Sequence, residues 1–182
     1  MNSSYLVIGA MSGTSLDGLD LVCAKFNFDD GWKFELTKAN TYAYTLAWKT
    51  KLGKLASQSN KKIRAVEMEY VKLVSDCIND FKQDLPPVDF ISSHGHTIFH
   101  QPKKGITLQI GTTPELSKQT HLPVIGDFRS QDVALGGQGA PLVPIGDLHL
   151  FRDYTACLNL GGFANFSTTS GKEVIAYDLC AV

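Results

Sequence analysis

The chain has 182 residues, 43% of them hydrophobic and 19% charged, and its mean hydropathy lies near zero; this balance excludes disorder and membrane embedding as its main organisation. A chain of this length buries roughly 70% of its unfolded surface and needs no disulfide or metal staple to fold. Lys and Arg total 17 against 18 Asp and Glu, a formal net charge of -1, so no global basic field exists to hold a nucleic acid backbone.

The opening MNSSYLVIGAMSG has no basic n-region. Its apolar run Tyr5 to Met11 is shorter than a signal core and far below a membrane span, so neither export nor embedding is expected. Tyr5 to Ala10 and Gly18 to Phe26 read as a hairpin across a Gly-containing turn, and Trp32 to Tyr44 as a third strand after an Asp-Asp-Gly turn. Three strands with no helix between them predict an antiparallel start. From Ser59, a credible N-cap, Ile63, Val66, Tyr70, Val71, Val74, Ile78 and Phe81 recur at three- and four-residue intervals. That spacing predicts a helix over about 60 to 84, stopped by Pro86 and Pro87.

Asp89 to Ser93 returns as a buried strand whose end delivers the polar run HGHT. Strand, helix, strand makes this an α/β chain. Short strands follow at Thr107 to Ile110 and Pro123 to Phe128, with a helix over Pro114 to Thr120 between them, and then the loop LGGQGAPLVP. Ala156 to Thr168 and Lys172 to Leu179, separated by a Ser-Gly turn, read as a second hairpin. VIGAMSGTS and LNLGGFANFS echo one another, each an apolar strand running into small residues. Cys23, Cys77, Cys157 and Cys180 are far apart, with no metal-knuckle spacing. They read as buried thiols in a reducing compartment, which places the protein in the cytoplasm.

Four segments carry chemistry. GAMSGTSLDGLD, Gly9 to Asp20, supplies backbone N–H groups and hydroxyls in a turn, which suits a phosphate oxygen, while Asp17 and Asp20 could hold a hydrated magnesium ion. An ordinary Gly-rich turn with Asx-turn aspartates is the structural alternative. In SHGHTIFH, Ser93 to His100, His94 and His96 are expected on one face of a strand, a zinc-ligand spacing if His100 joins them. The same run suits the many hydroxyls of a sugar. DFRSQDVALGGQGAPLVP brings Asp127, Arg129 and Asp132 after a strand, then glycines that let backbone approach a ligand; Arg129 paired to a neighbouring carboxylate is the structural alternative. NLGGFANFS is followed by Asp178, a general-base candidate or a turn former.

In this order these segments, with LQIG and AYD, resemble the anhydro-N-acetylmuramic acid kinase family over residues 7 to 178. The resemblance implies the sugar kinase, heat-shock chaperone and actin-like ATPase superfamily: two ribonuclease H-like lobes around an ATP cleft. It implies that water opens the bridge of 1,6-anhydro-N-acetylmuramic acid while ATP phosphorylates the freed 6-oxygen, giving N-acetylmuramic acid 6-phosphate for cell-wall recycling. By position it implies a phosphate loop at Gly13, Thr14, Ser15, Leu16, Asp17, Gly18, Leu19 and Asp20, and a general base at Asp178. His94 and Thr97 fall in the sugar-contacting segment, and Asp127, Arg129 and Gln138 in motifs facing the same cleft. ATP and magnesium are the expected cofactors and an anhydro amino sugar the expected small-molecule partner.

The family's base is followed by a Gly-Pro-Gly-Asn segment, whereas here the chain reads AYDLCAV. Family members are about twice this length. Residues 1–155 are therefore expected to form an N-terminal actin-like ATPase lobe with an antiparallel-start mixed sheet, and 156–182 the first hairpin of a second lobe that is truncated before completion. Such a fragment is expected to be inactive alone and to self-associate. A kinase for another 1,6-anhydro sugar such as levoglucosan, a non-catalytic half-enzyme or binding module, and a zinc hydrolase using His94, His96 and His100 are the rival readings.

Overall fold

The computed structural model describes residues 3–160, 163–170 and 173–181. Strands β1 (Ser3–Ser12), β2 (Gly18–Phe28) and β3 (Trp32–Ala43) form the expected antiparallel meander. After α1 (Leu46–Gly53) and a short 3-10 turn at 55–57 comes α2 (Asn60–Phe81). The Ser59 hydroxyl caps α2 by accepting from the Lys62 N–H at 3.4 Å. The helix ends at Phe81, ahead of the expected residue 84, and a turn carries the chain to the prolines.

Strand β4 (Phe90–Gln101) runs parallel to β1. Its far half pairs antiparallel with β5 (Ile106–Ile110), and its near half pairs parallel with β6 (Val124–Gly126), which follows α3 (Pro114–Thr120). The first sheet therefore runs β3-β2-β1-β4, with β5 and β6 sharing the outer side of β4. It is a mixed sheet with helices, in the α/β class as expected. The apolar stripe of α2 lies on one face, where Val66, Tyr70, Val71, Ile78 and Phe81 bury against Ile8, Leu19, Leu21, Cys23 and Ile91. An alternating strand facing a helix with apolar spacing of 3.6 leaves one contiguous core.

Several expectations fail here for physical reasons. The run HGHT is not a strand end but the middle of β4, because its backbone pairs with β1 on one side and β5 on the other whatever its side chains are. The expected strand at Pro123 to Phe128 shrinks to Val124–Gly126. The loop LGGQGAPLVP stands as a loop from residue 135 to 142, but it is flanked by two helices that the sequence did not announce, α4 (Ser130–Ala134) and α5 (Val143–Leu150), the latter with Pro in its first turn, where its missing N–H costs nothing.

The second hairpin is a three-stranded antiparallel sheet: β7 (Ala156–Leu160), β8 (Phe163–Ser170) and β9 (Glu173–Ala181). What reads as one strand, Ala156 to Thr168, is the two antiparallel strands β7 and β8; Gly161 and Gly162 lie between their bounds. Those glycines, and Gly171 and Lys172 of the Ser-Gly turn, lie outside the described residues. No helix among the described residues is long and apolar enough to cross a membrane. Cys23 is buried as expected, but Cys77 and Cys157 are half-buried and Cys180 is exposed; all are free thiols.

Candidate active site

Parallel strands β1, β4 and β6 point their C-terminal ends the same way, so the loops after β1 and β6 open beside the middle of β4. After β1, Gly13 to Asp17 makes a tight turn in which the Leu16 N–H donates to the Gly13 carbonyl at 3.3 Å, with Leu16 at φ 62. The Asp17 carbonyl accepts from the Tyr44 N–H at 3.0 Å, tying the turn to the end of β3. Gly18 starts β2 so close to β3 that a Cβ there would sit 2.5 Å from the Tyr42 carbonyl oxygen, which leaves no room for any other residue. Thr14, Ser15 and Asp17 are exposed at the turn.

The proposed loop is thus shorter than Gly13 to Asp20, because Gly18, Leu19 and Asp20 already belong to β2. Leu19 is 2% exposed and faces α2, so its side chain is core and cannot meet a ligand. Asp20 alternates to the other face, where its carboxylate accepts from the Thr41 hydroxyl at 2.6 Å. That face carries an open trough of about 650 Å³ lined among others by Gly9, Asp20, Asn40, Thr41, Ser92 and His94.

His94 and His96 do not share a face. The β1–β4 register steps from Ala10↔Ser93 to Met11↔Gly95, leaving His94 as the extra residue of a bulge, and Gly95 takes φ +71 where a Cβ would meet the Ile110 carbonyl oxygen. A bulge reverses the alternation beyond it. His94 therefore lines the trough, while His96 is 3% exposed on the core side. There its ring lies against Tyr70, and its Nδ1 is 3.0 Å from the Ser12 hydroxyl. Tyr44 donates to Ser12 at 2.8 Å and shares a 2.8 Å hydrogen bond with Tyr70. Burial, with His94 nearby, pulls His96 down to about 4. His100 is exposed farther along β4 beside Thr107. The shared-face zinc geometry is overturned, and no three His, Cys, Asp or Glu side chains cluster as a metal cage among the described residues.

His94 is held by two partners. Its Nδ1 lies 3.0 Å from the Gly95 carbonyl, which can only accept, so Nδ1 carries the hydrogen and Nε2 is the acceptor. Arg129 approaches Nε2 with Nε at 3.1 Å and Nη2 at 2.9 Å, and its Nη1 donates to the Gly139 carbonyl at 2.5 Å. Burial lowers the His94 pKa, and the Arg129 charge lowers it further against the opposing Gly95 carbonyl. The expected alternative of an Arg129–carboxylate pair is not found: no ion pair among the described residues involves it.

Asp127, at φ 55, accepts from the Ser130 N–H at 3.3 Å and so shapes the entry to α4. Asp132 accepts from the Gly139 N–H at 2.6 Å, closing the Gly-rich loop onto α4. Gln138 is exposed in that loop. Thr97 sits beside Gln109, whose amide donates to it at 3.4 Å and to Thr107 at 2.9 Å; the Gln109 carbonyl oxygen is buried without a partner.

Asp178 lies exposed on β9 in the second sheet, opposite Asn165, and is not among the residues lining the trough. The register there steps from Asp178 to Cys180, so Leu179, where the motif departs, is bulged. Sequence reading included Ser12 among the hydroxyls of the first turn and Tyr70 in the helix stripe, but missed Tyr44 and the hydrogen-bond chain that links all three to His96, and the trough wall of Asn40 and Thr41. Which polar side chains meet has no local signal until the register is known.

A model of the anhydro-N-acetylmuramic acid kinase family matches residues 5–181. The chain belongs to this family. Among its relatives are anhydro-N-acetylmuramic acid kinases of Shewanella halifaxensis, 38% identical over 98% of this chain and 51% of the relative, and of Pseudomonas fluorescens, 40% identical over 94% and 49%. The Bacillus cereus enzyme is 35% identical over 94% of this chain and 50% of its own length. The chain therefore spans about half the length of the curated relatives it matches.

Proposed function

We propose that the chain is the nucleotide- and sugar-facing part of a cytoplasmic kinase that opens 1,6-anhydro-N-acetylmuramic acid with water and phosphorylates its 6-oxygen, in cell-wall recycling. The observation that carries this reading is the convergence of the Gly13–Asp17 turn after β1 with the pair made by His94, in the middle of β4, and Arg129, in the loop after β6, in a chain of this family. The order β3-β2-β1-β4-β6 is what a ribonuclease H-like lobe implies, and it supports assigning residues 1–155 to one lobe and 156–182 to the start of a second.

In this reading the turn N–H groups and the Thr14 and Ser15 hydroxyls cradle ATP phosphates. Asp17 and Asp20 would offer hard oxygens to a hydrated magnesium ion held mainly by those phosphates. The ion would neutralise charge on the transferring group. His94, Thr97, Arg129 and Gln138 position the sugar. Asp178 takes a proton from the water that attacks C1 as the C1–O6 bridge bond breaks, while O6 takes the γ-phosphoryl group and ADP leaves. An enzyme containing this chain should, in ¹⁸O-water, place the label on C1 and the phosphate on O6. Phosphorylation with the bridge intact would overturn this reading.

A further inference from the structure

We propose that Ser12, Tyr44, Tyr70 and His96 form a buried brace that holds the Gly13–Asp17 turn in the shape that receives the phosphates of ATP, which makes them positioning residues for phosphoryl transfer; this rests on the phosphate-loop reading above. The four side chains come from the end of β1, the residue after β3, the middle of α2 and the middle of β4. None is more than 6% exposed. Tyr44 gives its single hydroxyl hydrogen to Ser12 at 2.8 Å, so the 2.8 Å contact between the two tyrosines is a donation from Tyr70 to Tyr44. Ser12 in turn lies 3.0 Å from Nδ1 of His96. A chain of hydrogen bonds thus runs from α2 to β1 and across to β4, and it passes through the residue immediately before the turn.

The brace grips the turn at both ends. Tyr44 holds the entry through its hydroxyl on Ser12 and the exit through its backbone N–H, which donates to the Asp17 carbonyl at 3.0 Å. Between these points Leu16 packs its side chain against the core beside Gly53 of α1, where a Cβ would come within 3.3 Å of Leu16 Cδ1. Thr14 and Ser15 are left exposed at the crest of the turn. Packing alone does not account for the hydroxyls. The fully buried Tyr70 ring sits among Tyr44, Trp48 and His96, at centroid separations of 6.4, 5.9 and 6.2 Å, and phenylalanine would fill that space without a polar atom to satisfy. What the hydroxyls add is direction, and a phosphate-binding turn works through N–H groups already aimed before the ligand arrives.

Two substitutions test the brace. Y44F removes the hydroxyl that makes both tyrosine bonds while keeping the ring and the backbone N–H, and Y70F removes only the outer bond. Amide hydrogen exchange followed by NMR on the ¹⁵N-labelled 182-residue chain should show the Leu16 and Tyr44 N–H groups exchanging about tenfold faster in Y44F, and less so in Y70F, with α2 amides such as Val71 and Ile78 unchanged. In an enzyme containing this chain, the KM for MgATP should rise about fivefold or more in Y44F and by less in Y70F, with the KM for the anhydro sugar held within about twofold. A role in stability alone would speed exchange in the turn and in α2 together and leave both KM values where they were. That result, or unchanged exchange at the turn, overturns the brace and leaves the phosphate-loop reading standing. A loosened turn with an unchanged KM for MgATP overturns the phosphate-loop reading, and this proposal with it. Should Y44F fail to fold, Y70F alone decides by the same signs.

Discussion

The chain contains the same unit twice: β1–β3 and β7–β9 are both three-stranded antiparallel meanders. In the first, Ile8, Leu21 and Cys23 are at most 1% exposed beneath α2. In the second, Leu158 is 57%, Leu160 67% and Tyr177 51% exposed, and α5 reaches only part of it. Both carry apolar residues in alternation. What separates them is the 22-residue helix that covers one and not the other, so a strand's pattern declares a face to be buried but does not supply the element that buries it.

Truncation of the shared core element should have the largest effect. Phe81→Ala removes a fully buried ring and is expected to cost about 3–5 kcal/mol in denaturant unfolding, whereas Leu160→Ala in the exposed meander should stay within about 0.5 kcal/mol. Comparable losses would mean that the second meander is as well covered as the first. The next effect is chemical. In an enzyme containing this chain, Asp178→Asn keeps the size of the side chain but cannot take the water proton, so turnover should fall about 100-fold or more with circular dichroism unchanged. Near-normal turnover removes Asp178, and with it the second meander, from the chemistry.

A pH effect should arise in the first sheet, on the strand β4 that pairs with the first meander. His96 is pulled from 6.5 to about 4 by burial, so below pH 6.5 the unfolded chain takes up a proton that the folded chain refuses. Its contribution to stability is complete above pH 6.5 and is lost as pH falls from there toward 4, at up to about 1.4 kcal/mol per pH unit. His94 is shifted in the same direction. His96→Asn should flatten the pH dependence measured by urea unfolding in that window; an unchanged slope would show that the histidine is not kept neutral. The smallest expected effect is on association. The exposed apolar face of β7–β9 should make the chain self-associate in sedimentation velocity, and Leu160→Lys should return it toward monomer. A monomer at high concentration without that substitution would count against an open apolar face.

Much of the fold is legible because its signals are periodic and local. Ser59 and the apolar spacing from Ile63 to Phe81 predict α2 nearly to its ends, and the Gly-containing turns predict β1–β3. The short helices are not legible. In α1 the first residue, Leu46, is 80% exposed and no apolar stripe forms, and α5 begins within the end of the loop as read, at Val143 and Pro144. The site was partly legible. Asp20, His94 and Arg129 sit in long, uncommon motifs and do come to one region, whereas Leu19, in the same motif, turns out to be core.

The sequence by itself determined the order of the main elements from β1 to β6 with α2 and α3, the family and the polar residues available to the site, since all of these depend on residue type and spacing along the chain. Only the tertiary structure decided which of those residues face one another. His94 and His96 are two positions apart and identical in type, yet one lines the trough and the other closes a buried hydrogen-bond chain with Ser12, Tyr44 and Tyr70. The divider is the bulge at His94–Gly95, set by how β4 registers against β1 on one side and β5 on the other. Register is a property of paired strands far apart in the chain, and no local pattern within β4 encodes it.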